Sequence, residues 1–152
     1  MTTTPNLRDM LRHIELLTEP WAADGIDASM EIRCLQEGLS PVSLRLNPLD
    51  ADYREETLSQ ALQLNERGWN VYVCVNPINS DWVGAAKDDA ISATYFAFVD
   101  ADDVEAAERI VGADVAPDFV VHTGGAPYSR LHAYWRVDGI PDLAAWRDMK
   151  PR

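Results

Sequence analysis

Two cysteines in 152 residues, with no C-x-x-C or metal-ligand spacing between them, argue against a disulfide scaffold or a zinc finger. Cys34 and Cys74 are isolated and read as reduced, buried thiols of a cytoplasmic protein. No apolar run approaches the roughly 18 residues that a membrane helix needs, so no membrane association is expected. The polar start Met1-Thr2-Thr3-Thr4-Pro5-Asn6 has no basic segment followed by an apolar one and predicts no signal peptide. Internal repeats and low-complexity tracts are also lacking. Basic residues are scarce: 13 Lys and Arg stand against 25 Asp and Glu, a formal net charge of −12 that repels phosphate backbones. The imbalance is uneven. Residues 119 to 152 hold five cations (Arg130, Arg136, Arg147, Lys150, Arg152) and three acids (Asp138, Asp142, Asp148), a local +2, which leaves −14 for residues 1 to 118. Any polyanion contact is therefore expected on the C-terminal side.

The chain is 47% apolar and carries five tryptophans, enough for one globular core and too much for a disordered chain. Leu7, Met10, Leu11, Ile14 and Leu17 follow helical spacing, and Pro20-Trp21 with the polar run to Asp27 predicts the break. Met30 to Leu35 and Val42 to Leu46, around Gly38-Leu39-Ser40-Pro41, predict a hairpin. A second amphipathic helix is predicted over Tyr53 to Arg67, stopped by Gly68. Strands follow at Trp69 to Asn76 and Thr94 to Val99, separated by a polar loop to about Ile91. A helix over Asp103 to Val111, a strand at Phe119 to His122, a turn over Gly124 to Ser129 and an alternating strand at Leu131 to Val137 complete the core. Asp142 is read as the cap of a last helix. The mixture indicates an α+β or α/β domain.

The strongest strand delivers Asp100-Ala101-Asp102-Asp103. Residues two apart on a strand share a face, so Asp100 and Asp102 aim two carboxylates at one point. Close carboxylates repel unless a cation or proton lies between them, and hard oxygen ligands suit Mg²⁺ or Mn²⁺ bound with nucleotide phosphates. The competing reading is that these acids end a strand and cap the next helix, with Asp102 or Asp103 as N-cap.

A second cluster runs from Val121 to Trp135. The Gly124-Gly125 turn lets backbone amides approach an anion, and Arg130 and His132, two apart on the returning strand, can both present donors to a phosphate. The alternative is a hairpin with a polar solvent face and a structural histidine.

Taken together, an apolar strand ending in D-x-D, a helix, a strand ending in glycines and a strand bearing a histidine before Tyr134-Trp135 resemble the archaeo-eukaryotic primase superfamily. The RepB-like primase domains of plasmids and phages are the nearest form. Asn70-Val71-Tyr72-Val73-Cys74-Val75-Asn76-Pro77 also resembles the family's segment before the acidic motif. The resemblance spans roughly residues 55 to 148. It implies an α+β fold: a primase-like (RRM-like) core of mixed or antiparallel sheet with flanking helices, lacking its C-terminal part. One domain over 1–152 is expected, with a helix/hairpin/helix part at 1–68 and a motif-bearing core at 69–152.

The resemblance further implies that Asp100 and Asp102 are the catalytic, metal-binding acids, with Mg²⁺ or Mn²⁺ as cofactor. Thr123, Gly124, Gly125, Arg130 and His132 match the nucleotide-binding positions. The expected partners are nucleoside triphosphates, a single-stranded DNA template and a replicative helicase, in replication initiation of a phage or plasmid. Two departures stand out. Ala126-Pro127-Tyr128-Ser129-Arg130 lengthens the turn before His132, and no residue matches the family's third carboxylate, so the chain alone is expected to be inactive or weakly active. Two other functions remain open: a non-catalytic remnant that binds nucleotide or nucleic acid, and a D-x-D glycosyltransferase.

Overall fold

Asn6 opens the first helix: its side chain accepts the Asp9 amide at 3.0 Å, satisfying one of the donors a helix start leaves unpaired. In the computed structural model, which describes residues 5–125 and 130–140, this helix (α1) runs from Leu7 to Ala23. The predicted break at Pro20 does not occur. Proline there removes one intrahelical hydrogen bond, but the next residue, Trp21, is fully buried with Ile14 and Leu17 on the same helical face. Burying an indole outweighs one lost bond. The helix closes one turn later, where the Asp24 amide reaches the Pro20 carbonyl and Gly25 takes a φ of 70°.

The chain divides into two compact units, the first comprising Pro5–Thr94. After α1 come β1 (Ala28–Leu35) and β2 (Val42–Leu46), the expected antiparallel hairpin, with Met30 opposite Leu46 and Cys34 opposite Val42. The second helix, α2 (Ala51–Glu66), starts at Asp50, which accepts the Tyr53 amide, and ends before Gly68 at φ 89°. β3 (Asn70–Val73) pairs antiparallel with β1, and the short β4 (Ile78–Asn79) pairs with the start of β1. The strand expected from residue 69 thus joins the hairpin's sheet, and it stops at Val73, three residues before the predicted end. Beyond it the Cys74 amide still reaches the Glu31 carbonyl before the chain turns through Pro77. The polar loop that follows holds a 3-10 turn at Asp88–Ala90.

Alternation explains β1. Met30, Ile32 and Cys34 form one buried face, and Ser29, Glu31 and Arg33 point to the other. Glu31 is itself buried, a costly place for a carboxylate unless each oxygen finds a donor. Both do: one oxygen takes Arg33 at 2.6 and 2.7 Å, and the other accepts the Ala86 amide at 2.6 Å. Arg33 also donates to the Ala86 carbonyl, and Arg45 donates to Ser29 and to the Gly84 carbonyl. These bonds strap the segment from Trp82 to Ala86 to the hairpin.

The second unit, Tyr95–Asp138, contains a three-stranded sheet in the order β5-β7-β6. Its elements are β5 (Thr94–Ala101), α3 (Val104–Val111), β6 (Phe119–Gly124) and β7 (Arg130–Ile140). β6 and β7 are antiparallel, pairing Phe119 with Tyr134 and Val121 with His132. Ala101, Leu131 and Ala133 pack with Ile110 of α3, and Trp135 covers their edge. Trp135 Nε1 donates to the Val115 carbonyl, and Asp118 accepts the Arg136 amide, which fastens the connection from α3 to β6.

The fold is α+β as expected, but one mixed or antiparallel sheet is replaced by two antiparallel ones, because β3 pairs with β1. No helix among the described residues is long and apolar enough to cross a membrane. The helix expected after Asp142 and most of the turn before Arg130 lie outside the described residues.

Trp21 supplies a test of the N-terminal core, since its ring nitrogen is buried with no hydrogen-bond partner among the described residues. Trp21→Phe is expected to lower stability only slightly, because it removes an unsatisfied donor along with some volume. Trp21→Ala is expected to cost about 3–5 kcal/mol. Urea unfolding midpoints of the two variants check the difference.

Candidate nucleotide and metal site

The side-chain alternation of β5 and β7 builds the site. On β5, Phe96, Phe98 and Asp100 share one face, and Ala101 turns to the α3 side, where it is fully buried. On β7, Leu131 and Ala133 face α3, so His132 and Tyr134 stand on the same side as Asp100. The two strands are neighbours in the sheet, and His132 Nε2 comes to 3.1 Å from Asp100 Oδ1. That is hydrogen-bond reach for an Nε2–H donating to the carboxylate. Both groups stay accessible, with side chains 26% and 47% exposed, so a ligand can reach either.

Behind the histidine lies Tyr134, buried, with its hydroxyl 3.5 Å from His132 Nδ1. Burial raises the phenol's pKa well above its ordinary range, and the negative charge of Asp100 adds to the rise. Tyr134 therefore stays a neutral hydroxyl. Its ring is fixed by Phe119, stacked at 4.5 Å and 12°, by Phe96 edge-on at 6.5 Å, and by Phe98 stacked at 6.1 Å and 25°.

Arg130 sits on β7 two residues before His132 and pairs with Gly124 across the β6–β7 ladder. Its guanidinium lies against that glycine: a Cβ at position 124 would fall 2.6 Å from Nη2 and 2.8 Å from Nε. The glycine thus makes room for a cation on the strand that carries the histidine. The ladder slips between His122 and Gly124, which leaves Thr123 exposed at the irregularity. Gly125 is exposed just beyond it.

The acidic run separates into three roles. Asp100 meets His132; Asp103 is the N-cap of α3, accepting the Ala106 amide at 2.7 Å; Asp102 is exposed between them, past the end of β5. Among the described residues no three His, Cys, Asp or Glu side chains gather as a metal-ligand group.

The structure joins Asp100 with His132 and, separately, Arg130 with Gly124, and leaves Asp102, Thr123 and Gly125 exposed. Sequence reasoning treated the acid and the histidine as separate metal and phosphate groups, and their direct contact had no signal in spacing. It also missed the aromatic row of Phe98, Tyr134 and Phe119. Its signal was present in the parity of Phe96, Phe98 and Asp100 on one strand and of His132 and Tyr134 on another.

No protein-family model, curated protein or solved structure matches this chain.

Two substitutions separate scaffold from site. Asp103→Ala is expected to lower stability by about 1 kcal/mol through loss of the cap while leaving the Asp100–His132 contact in place, as denaturant titration and the His132 imidazole NMR shifts would show. Gly124→Ala is expected to displace the flexible Arg130 guanidinium with a stability change within about 0.5 kcal/mol.

Proposed function

We propose that the face shared by β5 and β7 binds a nucleoside triphosphate together with a divalent cation, as a primase-like nucleotidyltransferase domain of phage or plasmid replication. The observation that carries this reading is the meeting of Asp100 and His132 at 3.1 Å, on the strand positions that the two motifs specify. Asp100 and Asp102 would hold Mg²⁺ or Mn²⁺, which when bound neutralises charge on the phosphates in an in-line displacement. Arg130 and His132 then supply donors to the triphosphate. A planar guanidinium suits two phosphate oxygens, and the His132 Nε2–H would suit one on leaving Asp100 to the metal. The Gly124-Gly125 segment keeps side chains out of the phosphates' path. In primer synthesis a 3′-hydroxyl attacks the α-phosphorus and pyrophosphate leaves; the role of these residues is to hold the triphosphate in line.

A second reading, nucleotide binding without catalysis, is favoured by the pair of acids where polymerising sites of this kind use three, and by the lack of any three-ligand group among the described residues. The net charge of −12 also favours nucleotide over long single-stranded DNA as ligand. A DNA template and a helicase remain partners of the primase reading alone.

The double variant Asp100→Ala/Asp102→Ala is expected to abolish the Mn²⁺ dependence of dNTP binding in calorimetric titration, and His132→Ala to weaken binding with the dependence retained. Unchanged affinity and metal dependence in the double variant would sink the assignment. Primer extension by the 152-residue chain separates catalysis from binding alone.

A further inference from the structure

We propose that Phe98 is the base-stacking platform of this site, so that the nucleobase lies along β5 while the phosphates lie at Asp100, Arg130 and His132. The inference rests on the triphosphate reading above and adds to it the place of the base. Phe119, Tyr134 and Phe98 stand on β6, β7 and β5 respectively, and their rings follow one another across the sheet, with centroids 4.5 and 6.1 Å apart and planes 12° and 25° from parallel. The middle ring is closed to solvent, Tyr134 being 1% exposed, and Phe119 at the β6 end is half-buried. The outermost is open: Phe98 is 51% exposed and stands on an outer strand of the described sheet. A stack that ends on a half-exposed ring at a sheet edge presents an aromatic surface that a flat, weakly hydrated ring completes, and every nucleobase offers such a face.

Position selects a nucleotide base over other aromatic or apolar ligands. Phe98 and Asp100 lie on the same face of one strand, roughly 7 Å apart along it, about the reach from a base through its sugar to the phosphates. The occupant must therefore carry an aromatic ring at one end and an anion that a metal or cation can hold at the other. A nucleoside triphosphate meets both demands, and an apolar peptide meets only the first. Phe98 is also held from behind by the Tyr134 ring, so little ordering of the side chain remains when a base arrives.

The test compares ATP with inorganic tripolyphosphate, each titrated calorimetrically in Mn²⁺ against the full chain, Phe98→Ala and Phe98→Trp. Wild type is expected to bind ATP on the order of tenfold more tightly than tripolyphosphate. Phe98→Ala should bring ATP down to the tripolyphosphate level and leave tripolyphosphate untouched, which also shows that the variant is folded. Phe98→Trp should keep the ATP affinity, with indole emission quenched as ATP binds. Equal ATP affinity in wild type and Phe98→Ala, or a parallel fall for tripolyphosphate, overturns the proposal. If wild type binds tripolyphosphate and ATP equally, the stacking platform fails and the triphosphate site stands. If it binds neither, both fail. Self-association that Phe98→Ala removes, with ATP affinity unchanged, would assign the ring to contact between copies and overturn the proposal.

Discussion

A strand must send successive side chains to opposite faces, and the sheet of the second unit is organised by that constraint. Three small or branched residues, Ala101, Leu131 and Ala133, turn toward α3 and make a thin apolar layer with Ile110. Once they do, Asp100, His132 and Tyr134 have only the other face available. The polar site and the hydrophobic layer are thus two sides of one register. A one-residue slip of β7 would carry His132 into the apolar layer and Leu131 out of it.

The same constraint shapes the electrostatics. Tyr134 fills the space beside the imidazole with aromatic surface, and the surrounding rings bury its ring. A buried hydroxyl near a carboxylate stays protonated, because burial and the charge of Asp100 both disfavour the phenolate. On the solvent side, Asp100 and His132 remain open, and Arg130 lies over Gly124 because that residue has no side chain. Buried aromatics and accessible charges thus stand side by side on one face of the sheet.

Much of this arrangement was legible in the sequence. The hairpin of β1 and β2, the helix ending at Gly68, the strand delivering Asp100 and the alternating strand through His132 all follow from period and turn chemistry. Period says nothing about partners. The segment before the acidic motif reads as a strand but carries no mark showing that it belongs with β1, whose pairing it follows only as far as Val73 and one further Cys74–Glu31 backbone bond. Proline at position 20 signals a helix end in isolation, and the burial of Trp21 overrides it. The acidic run looks uniform in sequence; only the start of α3 shows that Asp103 caps a helix while Asp100 faces a histidine.

The strap across the hairpin has a consequence for processing. Surface segments with small residues such as Gly84, Ala85 and Ala86 are ordinarily the first places a protease cuts, because the enzyme needs the chain drawn out as an extended strand. Here the carbonyls of Gly84 and Ala86 are gripped by Arg45 and Arg33, and the Ala86 amide is gripped by a buried carboxylate. Cleavage at that point requires releasing bonds anchored in β1 and β2. The segment is exposed, with Val83 almost fully in solvent, yet drawing it out as an extended strand is tied to releasing its bonds to the sheet beneath it.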